Sequence, residues 1–245
     1  MQDEAILYPP LNVPKKVAED VWIVDSGPIR PLGMRLPIRM TVIRLADGGL
    51  LLHSPTEFHA GLKDELEAIG PISHLVAPNS AHWTYLKAWQ EHVPEAITWA
   101  APGLRGRRQV RRSGVRLDRV ITPDATGWPQ EIVPVIVPGA GGFAEVALFH
   151  TPSRTLVLVD LVQNLEAGKL PSSLRLPARL AGVTAPDGKA PVYLRAIVKA
   201  KGAEAKAPAR RLVSFEPERV IFSHGAWFEH DGAARLRRSL AWLLR

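Results

Sequence analysis

Short apolar runs rich in Val, Ile and Leu dominate the first part of the chain: Val21-Trp22-Ile23-Val24, Thr41-Val42-Ile43-Arg44-Leu45 and Leu50-Leu51-Leu52-His53. Their length and β-branched content predict strands. Asp47-Gly48, inside the Ala46–Gly49 link between the last two, predicts a hairpin turn because such pairs readily take left-handed backbone angles. The period then changes. Phe58, Leu62, Leu66 and Ile69 recur at spacings of three and four, which predicts an amphipathic helix over 57–69, closed by Gly70-Pro71. A strand through Leu75-Val76, a helix from about His82 to His92 and a strand over Ile97–Ala100 complete this half.

The second half repeats the grammar. Strands are expected at Val120-Ile121, 132–137, 146–149 and 155–159, with Thr151-Pro152-Ser153-Arg154 as the turn between the last two. Residues 161–212, rich in Ala, Pro, Lys and Arg, predict helices with a loop near Pro186-Asp187-Gly188. Val220-Ile221-Phe222-Ser223 predicts a last strand and 232–244 a last helix. The proline-rich stretch Tyr8–Pro14 makes residues 1–20 an irregular arm, with 21–245 as one domain. Clusters of strands separated by helices in both halves predict an α+β fold, two sheets sandwiched between helical layers.

Composition narrows the class. Of 245 residues, 46% are hydrophobic and 22% charged, as in ordinary globular proteins, and no apolar stretch reaches the ~20 residues of a transmembrane helix. The acidic start Met1-Gln2-Asp3-Glu4-Ala5 lacks a signal-peptide pattern. Without cysteine there is no disulfide, thiolate nucleophile or Cys-ligated zinc, and a reducing cytoplasm is the simplest compartment. The net charge of +7 is largely local, in the arginines of 105–119 and in a basic stretch over 189–211. Neither stretch interleaves aromatics, and no helix-turn-helix or RNA-binding signature is present. These read as solvated surface, with no specific nucleic-acid partner and a phosphate or anionic-lipid contact as the residual alternative. Oligomeric state is not legible.

The candidate chemistry lies where apolar runs stop. His82 follows Ser73–Ala77, Asp160 follows Thr155–Val159, and His224 follows Val220–Ser223. Polar groups at strand ends lie where ligands usually bind in open sheets, and two imidazoles with one carboxylate form an open metal-ligand set.

Three strings, Gly49-Leu50-Leu51-Leu52-His53-Ser54-Pro55, Val76-Ala77-Pro78-Asn79-Ser80-Ala81-His82 and Val220-Ile221-Phe222-Ser223-His224-Gly225, together with the element order, resemble the metallo-β-lactamase superfamily from about Val21 to Arg245. The resemblance is closest to a group of uncharacterised bacterial proteins regarded as degenerate relatives. It implies a four-layer αβ/βα sandwich. It also implies a two-metal centre from which much is missing. The family's first-site histidines fall on Ala77, Asn79 and Gly141, so that site is lost. The second-site ligands fall on Ala81, His82, Asp160 and His224, so only one is lost. The family's Asp-Thr-Gly turn is here His53-Ser54-Pro55.

A two-metal hydrolase is therefore not expected. A single zinc or ferrous ion at His82, Asp160 and His224, or no ion at all, remains. His82 is alternatively a helix-start residue, and Asp160 is alternatively paired with His224 or an arginine. Glu145, after the Gly141-Gly142 loop, is a substitute ligand, a general base or an edge-strand charge. His53 enters the cavity, as a second proton-transfer candidate, or bonds Asp160. Asn79 meets a small ligand or caps the next helix. Trp83, with Tyr85 and Trp89, lines the pocket or belongs to the core. His59, His74, His92, His150 and His230 are expected at the surface or in turns. Two functions stay open: a scaffold that holds a small ligand without catalysis, which the lost ligands favour, and a mononuclear metal-dependent hydrolase-like enzyme.

Overall fold

The computed structural model describes residues 5–31 and 34–245. Among these residues the strands form two sheets. The first runs in chain order through β1 (Lys15–Ala18), β2 (Val21–Ile29), β3 (Leu36–Arg44), β4 (Leu50–His53), β5 (Ile72–Ala77), β6 (Ile97–Ala100) and β7 (Arg119–Val120). β1 to β4 are joined antiparallel and β4 to β7 parallel. The change of direction follows from the connections. Leu45–Leu50 is a tight turn, closed by Gly48 N–H on Leu45 carbonyl and Leu45 N–H on Gly49 carbonyl. The later links carry the helices that parallel pairing requires. The second sheet has the order β11 (Arg219–Ile221), β10 (Thr155–Val157), β9 (Phe143–His150) and β8 (Ile132–Gly139), antiparallel except for the β10–β11 pair.

Side-chain alternation builds the layers. Leu50, Leu52, Leu75 and Ala77 face out from the first sheet onto α1 (Ala60–Glu67), α2 (Leu86–His92) and α3 (Arg108–Ser113), packing against Leu62, Leu66, Trp89 and Val110. Their neighbours Leu51, Val76 and Trp99 face the other way and meet Val146, Leu148 and Val157 between the sheets. Ala147, Phe149 and Leu156 then face out from the second sheet. They pack on α5 (Val192–Lys199), α6 (Ala203–Ser214), α7 (Gly232–Ser239) and α8 (Ala241–Leu244) through Leu194, Val198, Leu212, Leu236 and Leu243. α4 (Ser172–Ala181) has no fully buried residue and rests on a small satellite core through Ala178 and Ala181. The expected four-layer αβ/βα sandwich is the observed fold.

Several local expectations change. Lys15–Ala18, inside the expected irregular arm, form β1 because Lys15 and Lys16 pair with Ile23 and Trp22. The helix expected from His82 begins at Leu86. Asn79 Oδ1 accepts the N–H groups of Ala81 and His82 at 2.8 and 3.1 Å and holds this stretch as a turn. The last helix breaks at Leu240 into α7 and α8. His74 and His150 are buried rather than at the surface: Trp99 Nε1 donates to His74 Nδ1, and His150 Nδ1 bonds the Ser153 hydroxyl.

Candidate metal centre

Asp160, His82 and His224 come together from three separate chain segments at one end of the sandwich. Asp160 follows β10, and Leu158 N–H donates to Ile221 carbonyl beside it. His224 follows β11 on a turn that needs Gly225. That residue has φ +95°, and a Cβ there would lie 2.2 Å from the Asn164 carbonyl oxygen, so only glycine admits the approach. His82 sits on the turn capped by Asn79. One ligating atom from each of the three lies within 4.8 Å of the other two. His82 Nε2 is 3.2 Å from Asp160 Oδ2, and His224 Nε2 is 3.4 Å from Asp160 Oδ1.

The far nitrogens are fixed as well. His82 Nδ1 bonds the Ser54 hydroxyl at 2.7 Å. His224 Nδ1 is 2.8 Å from the Pro37 carbonyl oxygen, which can only accept, so Nδ1 carries the hydrogen. In neutral His224, Nε2 therefore presents a lone pair toward a carboxylate. Two acceptors face each other at 3.4 Å, an arrangement that is favourable only with a proton or a cation between them. Metal-ligating histidines are commonly oriented by such contacts on the other nitrogen.

Asp160 is buried, which alone would push its carboxyl up. The imidazoles of His82 and His224 prevail and hold it well below the usual carboxylate range. It also accepts from Asn79 Nδ2 at 2.8 Å and Gln163 Nε2 at 3.4 Å. Behind it, Glu145 is fully buried within β9, not an edge-strand charge. Its carboxylate accepts the backbone N–H groups of Val159, Asp160 and Leu161 at 3.0–3.2 Å, and Asn79 Nδ2 at 3.3 Å. Burial and then the charge of Asp160 raise its pKa, opposed by the same N–H groups. Glu145 thus clamps the loop that carries Asp160 and is not positioned among the three ligands. The Asn79 amide bridges both carboxylates.

His53 does not reach Asp160. It shares a face of β4 with Leu51 and points between the sheets, hydrogen-bonded to the Val146 backbone. Its buried Nε2 has no hydrogen-bond partner. Burial, and then nearby His82, push its imidazole down to about 3. Trp83 donates from Nε1 to Ser80 carbonyl and packs on the outer core, and Trp89 is core. Tyr85 does line the pocket. That pocket, about 150 Å³, opens over the triplet between Leu36, Ile38, Ser54, Tyr85, Gln163 and Tyr193.

One buried ion pair secures His224 and was not anticipated. Arg39 of β3 donates from Nη1 to the carbonyls of Phe222 and Gly225, both at 2.9 Å, and its Nη2 is 2.6 Å from Asp25 of β2. The signal was a charged residue inside the apolar alternation of Leu36–Arg44. Ser54 and Gln163 carried no signal beyond their neighbours.

Residues 19–212 match the family model described as Domain of unknown function (DUF4336). The chain belongs to the DUF4336 family. No curated protein matches it. Solved structures show which fold this DUF4336 chain has. The metallo-β-lactamase from Hirschia baltica is 15% identical, with a TM-score of 0.59, over 94% of this chain and 96% of that one. The metallo-β-lactamase from Pontibacter korlensis is 16% identical, with a TM-score of 0.62, over 97% and 98%. FIM-1 from Pseudomonas aeruginosa in its mono-zinc form is 15% identical, with a TM-score of 0.61, over 94% of each. The DUF4336 chain therefore has a metallo-β-lactamase fold, while identities this low say nothing further of activity.

Proposed function

We propose that the chain is a mononuclear metal-dependent, hydrolase-like protein acting on a small molecule in the pocket above His82, Asp160 and His224. The observation that carries this reading is the His224 tautomer: Nδ1–H is committed to the Pro37 carbonyl, so Nε2 offers a lone pair beside the Asp160 carboxylate. Neutral His82 offers a second lone pair in the tautomer whose Nδ1–H donates to the Ser54 hydroxyl. This donor set suits one zinc or ferrous ion and leaves coordination positions open to the pocket. His53 is bonded to the Val146 backbone instead of joining the three groups. A structure similar in fold, FIM-1, is described in a mono-zinc form, so one ion is compatible with such an architecture.

When bound, such an ion polarises a substrate oxygen and makes a bound water more acidic. The rest is supplied by the chain's own residues. Ser54 and Pro37 orient the imidazoles, the Glu145 clamp holds Asp160, and Tyr85 and Tyr193 bound the pocket. Glu145 and His53 are both sequestered from it, so neither is a proton-transfer residue in this reading.

A metal-free scaffold is the second reading, and one observation favours it. At 3.2 and 3.4 Å, protonated His82 and His224 would satisfy Asp160 as charge-assisted donors. Elemental analysis of protein prepared without chelator and reconstituted with zinc, or anaerobically with ferrous iron, separates the two. The metal reading expects one ion per chain, lost in His224→Ala. Absence of stoichiometric metal after reconstitution overturns it.

A further inference from the structure

Beside the pocket over the triplet lies a second cavity of about 360 Å³ with an almost wholly apolar wall. Leu165, Leu170 and Val183 form part of its floor, and they belong to a small satellite core that also contains Ile6 and Leu7. One side is α4. Leu174, Pro177, Ala178 and Ala181 recur at spacings of three and four along this helix and all line the cavity. A surface helix ordinarily buries such a stripe against the core. Here no residue of α4 is fully buried: Ala178 and Ala181 rest against the satellite core at one edge, and the stripe otherwise faces the cavity.

The two cavities adjoin. Pro31, Leu36, Gln163 and Tyr193 line both. Tyr193 and Val192, 68% and 57% exposed, stand at the rim. A polar pocket with two imidazoles and a carboxylate thus lies next to an apolar one whose volume is in the range of small-ligand sites, roughly 300–1,000 Å³.

We propose that this cavity takes the apolar tail, alkyl or acyl, of the same small molecule whose polar group is held over His82, Asp160 and His224. The substrate class is then an amphiphile with a hydrolysable or metal-binding head and a medium-length apolar chain. This rests on the metal reading for the head and on the α4 cavity for the tail, and the two are tested separately.

The full chain, loaded with zinc, is titrated with n-alkyl hydroxamates from acetohydroxamate to octanohydroxamate. Affinity is expected to rise about three- to fourfold per methylene as the chain fills the cavity. Ala178→Trp, which fills the cavity from α4, is expected to flatten that rise while zinc content and acetohydroxamate affinity stay at wild-type values. In chelator-treated protein, 1-octanol is expected to displace 1-anilinonaphthalene-8-sulfonate from the wild type and not from Ala178→Trp. Affinity independent of chain length in zinc-loaded protein overturns the proposal and leaves the metal reading standing. Failure to load zinc, with octanol displacement intact and sensitive to Ala178→Trp, overturns the metal reading and keeps the cavity as an apolar-ligand site. A dye that neither binds nor responds to the variant removes the cavity.

Discussion

The burial of His53 makes this residue a pH-dependent element of stability. Its folded pKa, about 3, lies below the unfolded value of roughly 6.5. Below pH 6.5 the unfolded chain gains a proton that the folded chain refuses, so stability is full above that pH and declines as pH falls toward 3. Between pH 7 and pH 5 this costs about 2 kcal/mol. Burial also lowers His74 and His150, which add to the same trend. Urea denaturation at pH 7 and pH 5 checks it: His53→Gln should show a smaller loss than wild type, and an equal loss would remove His53 as the cause. Glu145 acts through backbone instead. Glu145→Ala strips acceptors from three buried N–H groups, each worth roughly 1–3 kcal/mol. We expect a loss of at least about 3 kcal/mol in denaturant midpoint experiments, and weakened metal binding as Asp160 loosens. Ser54→Ala, by freeing the His82 ring, should weaken zinc affinity about 10- to 100-fold with little change in fold. Competition with a chromogenic chelator measures that shift.

At the scale of elements, alternation was the legible signal. Leu50, Leu51 and Leu52 read as a strand, and the structure uses their alternation to serve two different cores. The helix expected over 57–69 was visible from its period, although the observed helix spans Ala60–Glu67. Boundaries set by side-chain chemistry were not visible. The start of α2 depends on Asn79 capping N–H groups that a periodicity argument assigns to the helix. β1 exists because Val21–Ile23 lies beside it, a pairing that four residues of local sequence do not announce. The Arg39 clamp belongs to this scale too, since it ties β2 and β3 to the loop after β11. Removing one member of a buried ion pair costs roughly 3–5 kcal/mol where the remaining charge is left alone, but Asp25 keeps its second partner, Lys15. Arg39→Met should therefore destabilise the protein by less, about 1–3 kcal/mol. It should also disturb His224, because two carbonyls flanking that residue lose their donor. Calorimetry and zinc titration on the same variant test both effects, and an unchanged melting temperature would show that the clamp is dispensable.

Across the whole molecule, the ligand triplet is a product of topology. β10 and β11 are parallel neighbours, so Asp160 and His224 leave the same end of the second sheet, while His82 arrives from the link after β5 in the first. A bound ion would then tie both sheets together. Zinc at a hundredfold excess over its dissociation constant should add about 2.7 kcal/mol to the native state, a rise of roughly 5–10 °C in melting temperature. His224→Ala should not share this rise. No helix among the described residues is long and apolar enough to cross a membrane. The sequence by itself determined the layered α+β class and the three residues worth watching, because period and strand ends are local properties of the chain. Only the tertiary structure decided the roles of the buried polar groups. It turned His53 inward, made Glu145 a clamp, paired Arg39 with Asp25 and faced the α4 stripe onto a cavity. Those outcomes depend on which partners long-range packing brings within hydrogen-bond reach, and no local pattern encodes that distance.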